Sequence, residues 1–146
     1  MNLASTGKRA VRTQFGTICW RKKDGEVQVL LITSRRTRRW IIPKGWPIDE
    51  ATPSEAAQKE AWEEAGAKGK ALETCLGIYS YTKDVNGKRN LPCIVAVFPM
   101  QVKGLEKDWP EKAERKRKWV SLKKAANMVD EPDLRSILKT FNPKAL

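Results

Sequence analysis

A chain of 146 residues with 40% hydrophobic residues fits one compact domain, and no apolar run approaches the roughly 20 residues of a membrane helix. It contains no histidine, which excludes Ser-His and Cys-His nucleophile pairs, the usual zinc sites and imidazole bases, and leaves carboxylates, lysine, tyrosine, thiols or an oxygen-held metal to do any catalysis. Its 29 basic and 17 acidic residues leave a net charge of +12, which favours nucleic acid, a membrane surface or a polyphosphorylated small molecule without choosing among them.

Residues 1–11 are polar and basic with no apolar centre, which predicts a flexible arm rather than a secretory signal, ahead of one domain over residues 12–143. Gln14–Arg21 alternates toward Ile18 and Trp20 and reads as a strand. Lys23-Asp24-Gly25 is a turn, and Val27–Thr33 a more buried strand, so the two suggest a hairpin. Ser34–Arg39 is a basic loop, Trp40–Ile42 a short strand ending at Pro43, and Lys44–Thr52 a turn-rich connection. A helix follows, with Thr52 as N-cap, Pro53 at its first position, Glu55 completing a capping box and Gly66 as its left-handed stop. Ala57, Ala61 and Ala65, with Trp62 beside them, give it a narrow apolar stripe that fits close against a sheet.

Strand signals resume over Ala71–Thr82 and Leu91–Val102, joined by a turn at Asn86-Gly87. Asp108–Lys118 is polar and basic, and Trp119-Val120 makes a short strand. Ser121 caps a helix that runs to about Met128, and Pro132–Phe141 forms a last one. Cys19, Cys75 and Cys93 are odd in number with no close pair, which points away from a disulfide framework and toward a reducing cytoplasm. The order of elements predicts an α+β domain with α/β/α layering.

The chemistry concentrates on the capped helix. At about 100° per residue, Glu63 and Glu64 fall roughly 60° and 40° to either side of Glu60, so the three carboxylates share one face away from the alanine stripe. Like charges at this spacing weaken a helix. A hard cation such as magnesium or manganese explains them better than helix stability does. Taken alone, E-x-x-E-E is an ordinary solvated face. Here the acids cluster in a basic protein, just after a loop whose carbonyls at Lys44 and Gly45 can approach the same ion.

Gly45–Ala67, GWPIDEATPSEAAQKEAWEEAGA, resembles the Nudix box, G-x5-E-x7-R-E-U-x-E-E-x-G-U, where U is bulky and aliphatic. Gly45, Glu60, Glu63, Glu64 and Gly66 match outright, and Ala61 and Ala67 fill U positions. Two positions depart: the first box glutamate is Ala51, with Glu50 one residue early, and the box arginine is Lys59, which has Glu55 and Glu63 within one helical turn. Ser34–Pro47 (SRRTRRWIIPKGWP) and Leu105–Leu122 (LEKDWPEKAERKRKWVSL) are similar to segments flanking the box in diphosphoinositol polyphosphate phosphohydrolases. Pro43-Lys44-Gly45 is closer to the Pro-Lys-Gly of dinucleoside polyphosphate hydrolases.

That resemblance implies a Nudix-like α/β/α sandwich with a mixed central sheet, and magnesium-dependent (or manganese-dependent) cleavage of a phosphoanhydride bond in a highly phosphorylated small molecule. It assigns the metal to Glu60, Glu63, Glu64 and the Gly45 carbonyl, and the substrate phosphates to Ser34, Arg35, Arg115, Lys116 and Arg117, whose arginine forks suit phosphate. The proton acceptor falls to Glu64, Glu60 or an acid near Glu106–Glu111. Trp40 and Trp46 offer rings to a base, with Trp40 expected in the core. Diadenosine polyphosphates and diphosphoinositol compounds both suit the charge. The competing readings are a catalytically silent Nudix domain that binds nucleotide or RNA, and a basic nucleic-acid-binding protein. The last lacks zinc-finger spacing, RNP-like aromatics and a helix-turn-helix signature.

Overall fold

The computed structural model describes residues 11–85 and 89–146. The expected basic arm, apart from Val11, and the Asn86-Gly87 turn lie outside the described residues. Eight strands among the described residues form one mixed sheet: β1 (Arg12–Lys23), β2 (Glu26–Thr33), β3 (Trp40–Ile41), β4 (Lys44–Gly45), β5 (Ala67–Ala71), β6 (Gly77–Val85), β7 (Arg89–Leu105) and β8 (Arg117–Ser121). The α-helices among the described residues are α1 (Pro53–Ala65), α2 (Leu122–Met128) and α3 (Pro132–Thr140).

β1 runs parallel to β7 from Arg12↔Cys93 to Trp20↔Gln101. Its other edge is shared: the C-terminal part pairs with β2, and Phe15 and Gly16 pair with Gly45 and Lys44 of β4. β8 closes on β2, while β7 carries β6 along its first half and β5 along its second.

Side-chain alternation along the central strands builds two cores. Ile18, Val29 and Leu31 face α2 and α3, where they meet Ala125, Leu134 and Leu138. Cys19, Leu30 and Ile32 face the other way, against Ala61 and Ala65 of α1. A strand buried on both faces reads as an unbroken apolar run, which is why VLLI at positions 29–32 looks the way it does. Each fully buried Leu or Ile contributes about 1.5–3 kcal/mol. The result is the expected three-layered α+β sandwich.

α1 follows its sequence signals residue by residue. Glu55 N–H donates to Thr52 Oγ1 at 3.2 Å and Thr52 N–H donates to Glu55 Oε1 at 2.8 Å, closing the capping box. Gly66 takes φ 65° and ends the helix. Ala57, Ala61 and Ala65 are fully buried. Trp62 departs from the expected stripe: it is 36% exposed, turned outward beside Lys59 and Lys68.

Two further expectations need correction. The strand expected over Ala71–Thr82 is two strands, because Leu72–Cys75 loops outward and is exposed. The chain stays tied to β7 at each end of that loop, through Leu72 N–H to the Pro99 carbonyl and Leu76 N–H to the Val97 carbonyl. Lys44 and Gly45 belong to a short strand rather than a free connection. The turn-rich stretch begins after them. Among the described residues no helix is long and apolar enough to cross a membrane.

At Gly66 an added Cβ would lie 2.9 Å from Arg117 Nη1 and 3.0 Å from Trp109. Combined with the left-handed φ, Gly66→Ala should destabilise the protein by about 1–2 kcal/mol or more. A shifted urea midpoint measures it, and an unchanged midpoint would contradict this packing.

Candidate active site

Pairing of β4 with β1 brings Gly45 against the start of the sheet, with Glu60 of α1 directly behind it. A Cβ at Gly45 would fall 2.6 Å from Glu60 Cγ and Oε1. The corner must therefore be glycine if the carboxylate is to keep its place. In front of it opens a cleft of about 440 Å³. Its walls are the basic loop (Ser34, Arg35, Arg36, Arg39), the corner residues Lys44 and Trp46, Glu60 and Glu64 of α1, Tyr81 and Lys83 of β6, and Glu111 and Arg115.

Of the three helix glutamates, the structure brings Glu60 and Glu64 to this cleft. They stand one turn apart, on the ridge beside the buried alanines and not on a face away from them as expected, because seven residues bring Glu64 to within about 20° of Ala57 around the helix. Glu63 is not among the lining residues. It pairs instead with Lys59 at 4.0 Å, the helical-turn pairing that the sequence offered. Glu64 is the more deeply set, with Oε1 accepting from Lys44 N–H at 3.1 Å and Oε2 lying 3.4 Å from Arg115 Nη2. Burial pushes the Glu64 carboxyl up to about 7, against the pull of Arg115 and Lys44. Glu60 also rises to about 7, first through burial and then through repulsion from Glu64, Glu63 and Glu111.

The basic residues divide. Arg35 is exposed on the cleft rim, 3.6 Å from Glu114. Ser34 lines the cleft, with its Oγ 2.8 Å from Thr37 Oγ1 and accepting from Arg39 N–H at 3.1 Å, so the loop is closed on itself. Arg115 reaches the wall, but its side chain is 5% exposed and bonded to carboxylates. The structure does not bring Lys116 and Arg117 into the cleft. Lys116 is exposed, and its backbone N–H donates to Thr33 Oγ1. Arg117 stacks 3.9 Å from the Trp109 ring centroid and donates to the Ala65 and Glu106 carbonyls.

Those bonds belong to a larger arrangement around the end of α1. Glu111 N–H donates to the Glu63 carbonyl, Trp109 Nε1 to that of Glu64, Arg117 to that of Ala65 and Glu106 N–H to that of Gly66. The unpaired carbonyls of a helix end need such partners. The segment that satisfies them also carries Glu111 into the cleft.

Several cleft residues went unassigned in the sequence. The Lys44 ammonium lies 4.7 Å from the Tyr81 ring centroid, and burial pushes it down to about 8 while Glu64 pulls it back up. Tyr81 donates its hydroxyl proton to Gln14, itself 3% exposed. Arg39 holds Glu131 at 2.6 Å. Tyr79, Tyr81 and Lys83 share one face of β6 and lead from the core to the cleft, a period-two pattern that was there to be found.

Among the described residues no three acidic or cysteine side chains converge closely enough to enclose an ion. The donor set still fits magnesium, which keeps several waters and binds through one or two carboxylates together with substrate phosphates. Glu60, whose carboxyl feels the repulsion of three others, and Glu64 would supply the carboxylates, and Gly45 a nearby carbonyl.

The layered sheet and its cleft define a domain that opposes acidic helix side chains to a basic rim. The chain belongs to the Nudix family: residues 11–141 match the family model described as NUDIX domain. Nudix hydrolase 21, chloroplastic, of Arabidopsis thaliana is 37% identical over 136 residues, covering 89% of this chain and 66% of that relative. Nudix hydrolase 13, mitochondrial, of the same plant is 32% identical, covering 81% and 61%. Diphosphoinositol polyphosphate phosphohydrolase 3-alpha of Mus musculus is 32% identical, covering 77% and 65%. This chain thus spans less than two-thirds of the length of these relatives. Among solved structures, C. elegans Ap4A hydrolase superposes with a TM-score of 0.66 at 20% identity, covering 94% of this chain and 100% of that one. The NUDIX domain of Shewanella oneidensis NrtR, complexed with ADP ribose, gives 0.65 at 12% identity, covering 90% and 88%. These two likenesses show the shared fold.

Because Glu60 and Glu64 rise from the ordinary 4.5 to about 7, their contribution to stability is full below the lower value and is lost as pH climbs through the upper one. Metal-free protein should lose Tm across that window. Glu60→Gln should flatten part of the loss, and should reduce the Tm rise that Mg²⁺ gives native protein at about pH 8. A Glu60→Gln protein whose pH profile and Mg²⁺ response equal those of the native protein would contradict the assignment.

Proposed function

We propose that this domain is a magnesium-dependent pyrophosphohydrolase that cleaves a phosphoanhydride bond in a highly phosphorylated small molecule. One observation carries the reading: Glu60, Glu64 and Glu111 line the same cleft as Arg35, Arg36, Arg39 and Lys44. The rim gathers phosphate, and the carboxylates hold a cation and take up a proton. Hydrolase names among the relatives support it.

Glu60, Glu64 and the Gly45 carbonyl would hold the ion, with manganese an alternative. When bound, it neutralises phosphate charge and acidifies water. Lys44 and the rim arginines orient the phosphate chain so that water meets phosphorus in line with the leaving phosphate. Glu64 or Glu111 receives the water proton.

Between the two substrate classes that suit the charge, Trp46 favours a diadenosine polyphosphate over a diphosphoinositol polyphosphate. Its indole is 40% exposed and lines the cleft next to Pro47 and Ile48. A nucleobase gains about 1–3 kcal/mol by stacking on such a ring, whereas a fully phosphorylated inositol has no flat apolar face to offer.

Incubating the protein and Mg²⁺ with diadenosine tetraphosphate, a diphosphoinositol pentakisphosphate and ADP-ribose tests this directly, by released phosphate or mononucleotide. Turnover of none of them rejects the hydrolase reading. Glu64→Gln should cut kcat by about a hundredfold or more with an unchanged circular dichroism spectrum. Trp46→Ala should raise KM for the diadenosine substrate roughly five- to a hundredfold and leave KM for the inositol compound alone. Equal effects on both would remove the stacking role.

A further inference from the structure

The Arg115 side chain lines the cleft, but its donors are taken by groups of the protein. Nε donates to Glu111 Oε1 at 2.9 Å, and Nη2 lies 2.8 Å from that same oxygen and 3.4 Å from Glu64 Oε2. Nη1 donates to the Thr33 carbonyl at 3.1 Å. A guanidinium has five N–H groups, and these contacts occupy most of them. With 5% of the side chain exposed, little is left to meet a phosphate.

The three partners come from three elements. Glu64 is on α1, Thr33 ends β2, and Glu111 is on the segment that captures the last carbonyls of α1. The anchorage at Thr33 is doubled by the backbone, since Thr33 N–H donates to the Lys116 carbonyl at 3.0 Å and Lys116 N–H to Thr33 Oγ1 at 2.9 Å. The basic loop starts at the very next residue, Ser34. Two carboxylates set side by side repel each other and swing apart unless a charge of opposite sign holds them. The planar fork of arginine fixes their directions as well as their charge, which an ammonium does not do. Lys59, in the place of the box arginine, is spent on Glu63 at the surface and does nothing for Glu64.

We propose that Arg115 is a positioning residue: it fixes Glu64 and Glu111 against each other and against the end of β2, and it does not contact substrate. The proposal rests on the reading that these carboxylates serve hydrolysis. Arg115 thereby sets how well the cleft takes up a divalent cation before substrate arrives. It also ties the carboxylate side of the cleft to the root of the phosphate-gathering loop.

Arg115→Lys keeps the charge and loses the fork. Steady-state kinetics and Mn²⁺ binding by electron paramagnetic resonance, the latter without substrate, read its effect on the full chain. kcat should fall, and Mn²⁺ affinity should weaken, by about 10- to 100-fold, while KM stays within about twofold. A raised KM with unchanged kcat would make Arg115 a substrate contact and overturn the proposal, as would unchanged kcat and Mn²⁺ affinity together.

A second measurement uses the native protein, so it survives any failure of the variant to fold. In a ¹⁵N-labelled sample with chelator, the arginine Nε signals are followed as inorganic tripolyphosphate is added. Arg35 should shift and Arg115 should not, whereas Mg²⁺ alone should move Arg115 through its carboxylates. A tripolyphosphate shift at Arg115 as large as that at Arg35, or no response to Mg²⁺, overturns the proposal. Native protein that hydrolyses nothing, yet loses Mn²⁺ affinity on Arg115→Lys, would reject the hydrolase reading and still support the positioning role.

Discussion

Repulsion between carboxylates is the constraint around which the molecule is arranged. Glu60, Glu64 and Glu111 face one cleft in a protein of net charge +12, and two of the three rise well above the ordinary carboxylate range. Left alone, such side chains rotate into water. Here each is held. Glu60 is pressed against Gly45, Glu64 is bonded to the Lys44 amide and ion-paired with Arg115, and Glu111 is gripped by the Arg115 fork. The repulsion is withstood because the groups that hold these side chains are backbone or buried.

Rigidity comes from how α1 is mounted. Its alanines seat it flat on the sheet, and its first turn is closed by the Thr52–Glu55 box. Its last turn is closed from outside, by residues 106–117. The helix therefore has little freedom to slide or roll, and Glu60 and Glu64 inherit that precision. The basic loop is closed by Ser34 contacts, by Arg39 reaching Glu131 and Asp130, and by Arg35 beside Glu114.

What the sequence made legible was what local chemistry decides. Thr52, Pro53, Glu55 and Gly66 specify the bounds of α1 without help from other elements, and the 29–32 run announces a strand buried on both faces. The acidic helix after a glycine corner was readable for the same reason. What escaped depended on distant partners. The helical wheel places Glu63 near its neighbours, but the cleft follows the Glu60–Glu64 ridge and Lys59 draws Glu63 away. Trp62 looked apolar and turned outward, since the close fit of α1 on the sheet leaves room for alanine alone. Arg115, Lys116 and Arg117 read as one basic run. Alternation along an extended chain turns Lys116 to open solvent and Arg115 and Arg117 to the other side, where one becomes a buried fork and the other holds a helix end. Nothing in RKR by itself announces which.

The parallel pairing of β1 with β7 keeps a constant offset, from Arg12 opposite Cys93 to Trp20 opposite Gln101. On a ribosome, β1 emerges early, while its longest neighbour is the greater part of the domain away in synthesis. Until then, only β2, the two residues of β4 and α1 can cover it. Closure of the sheet, and with it the cleft, is therefore a late event that must wait for nearly the whole domain. The Gly45 corner is laid on β1 from the opposite edge, so the carboxylates cannot take their final places before that strand is locked in.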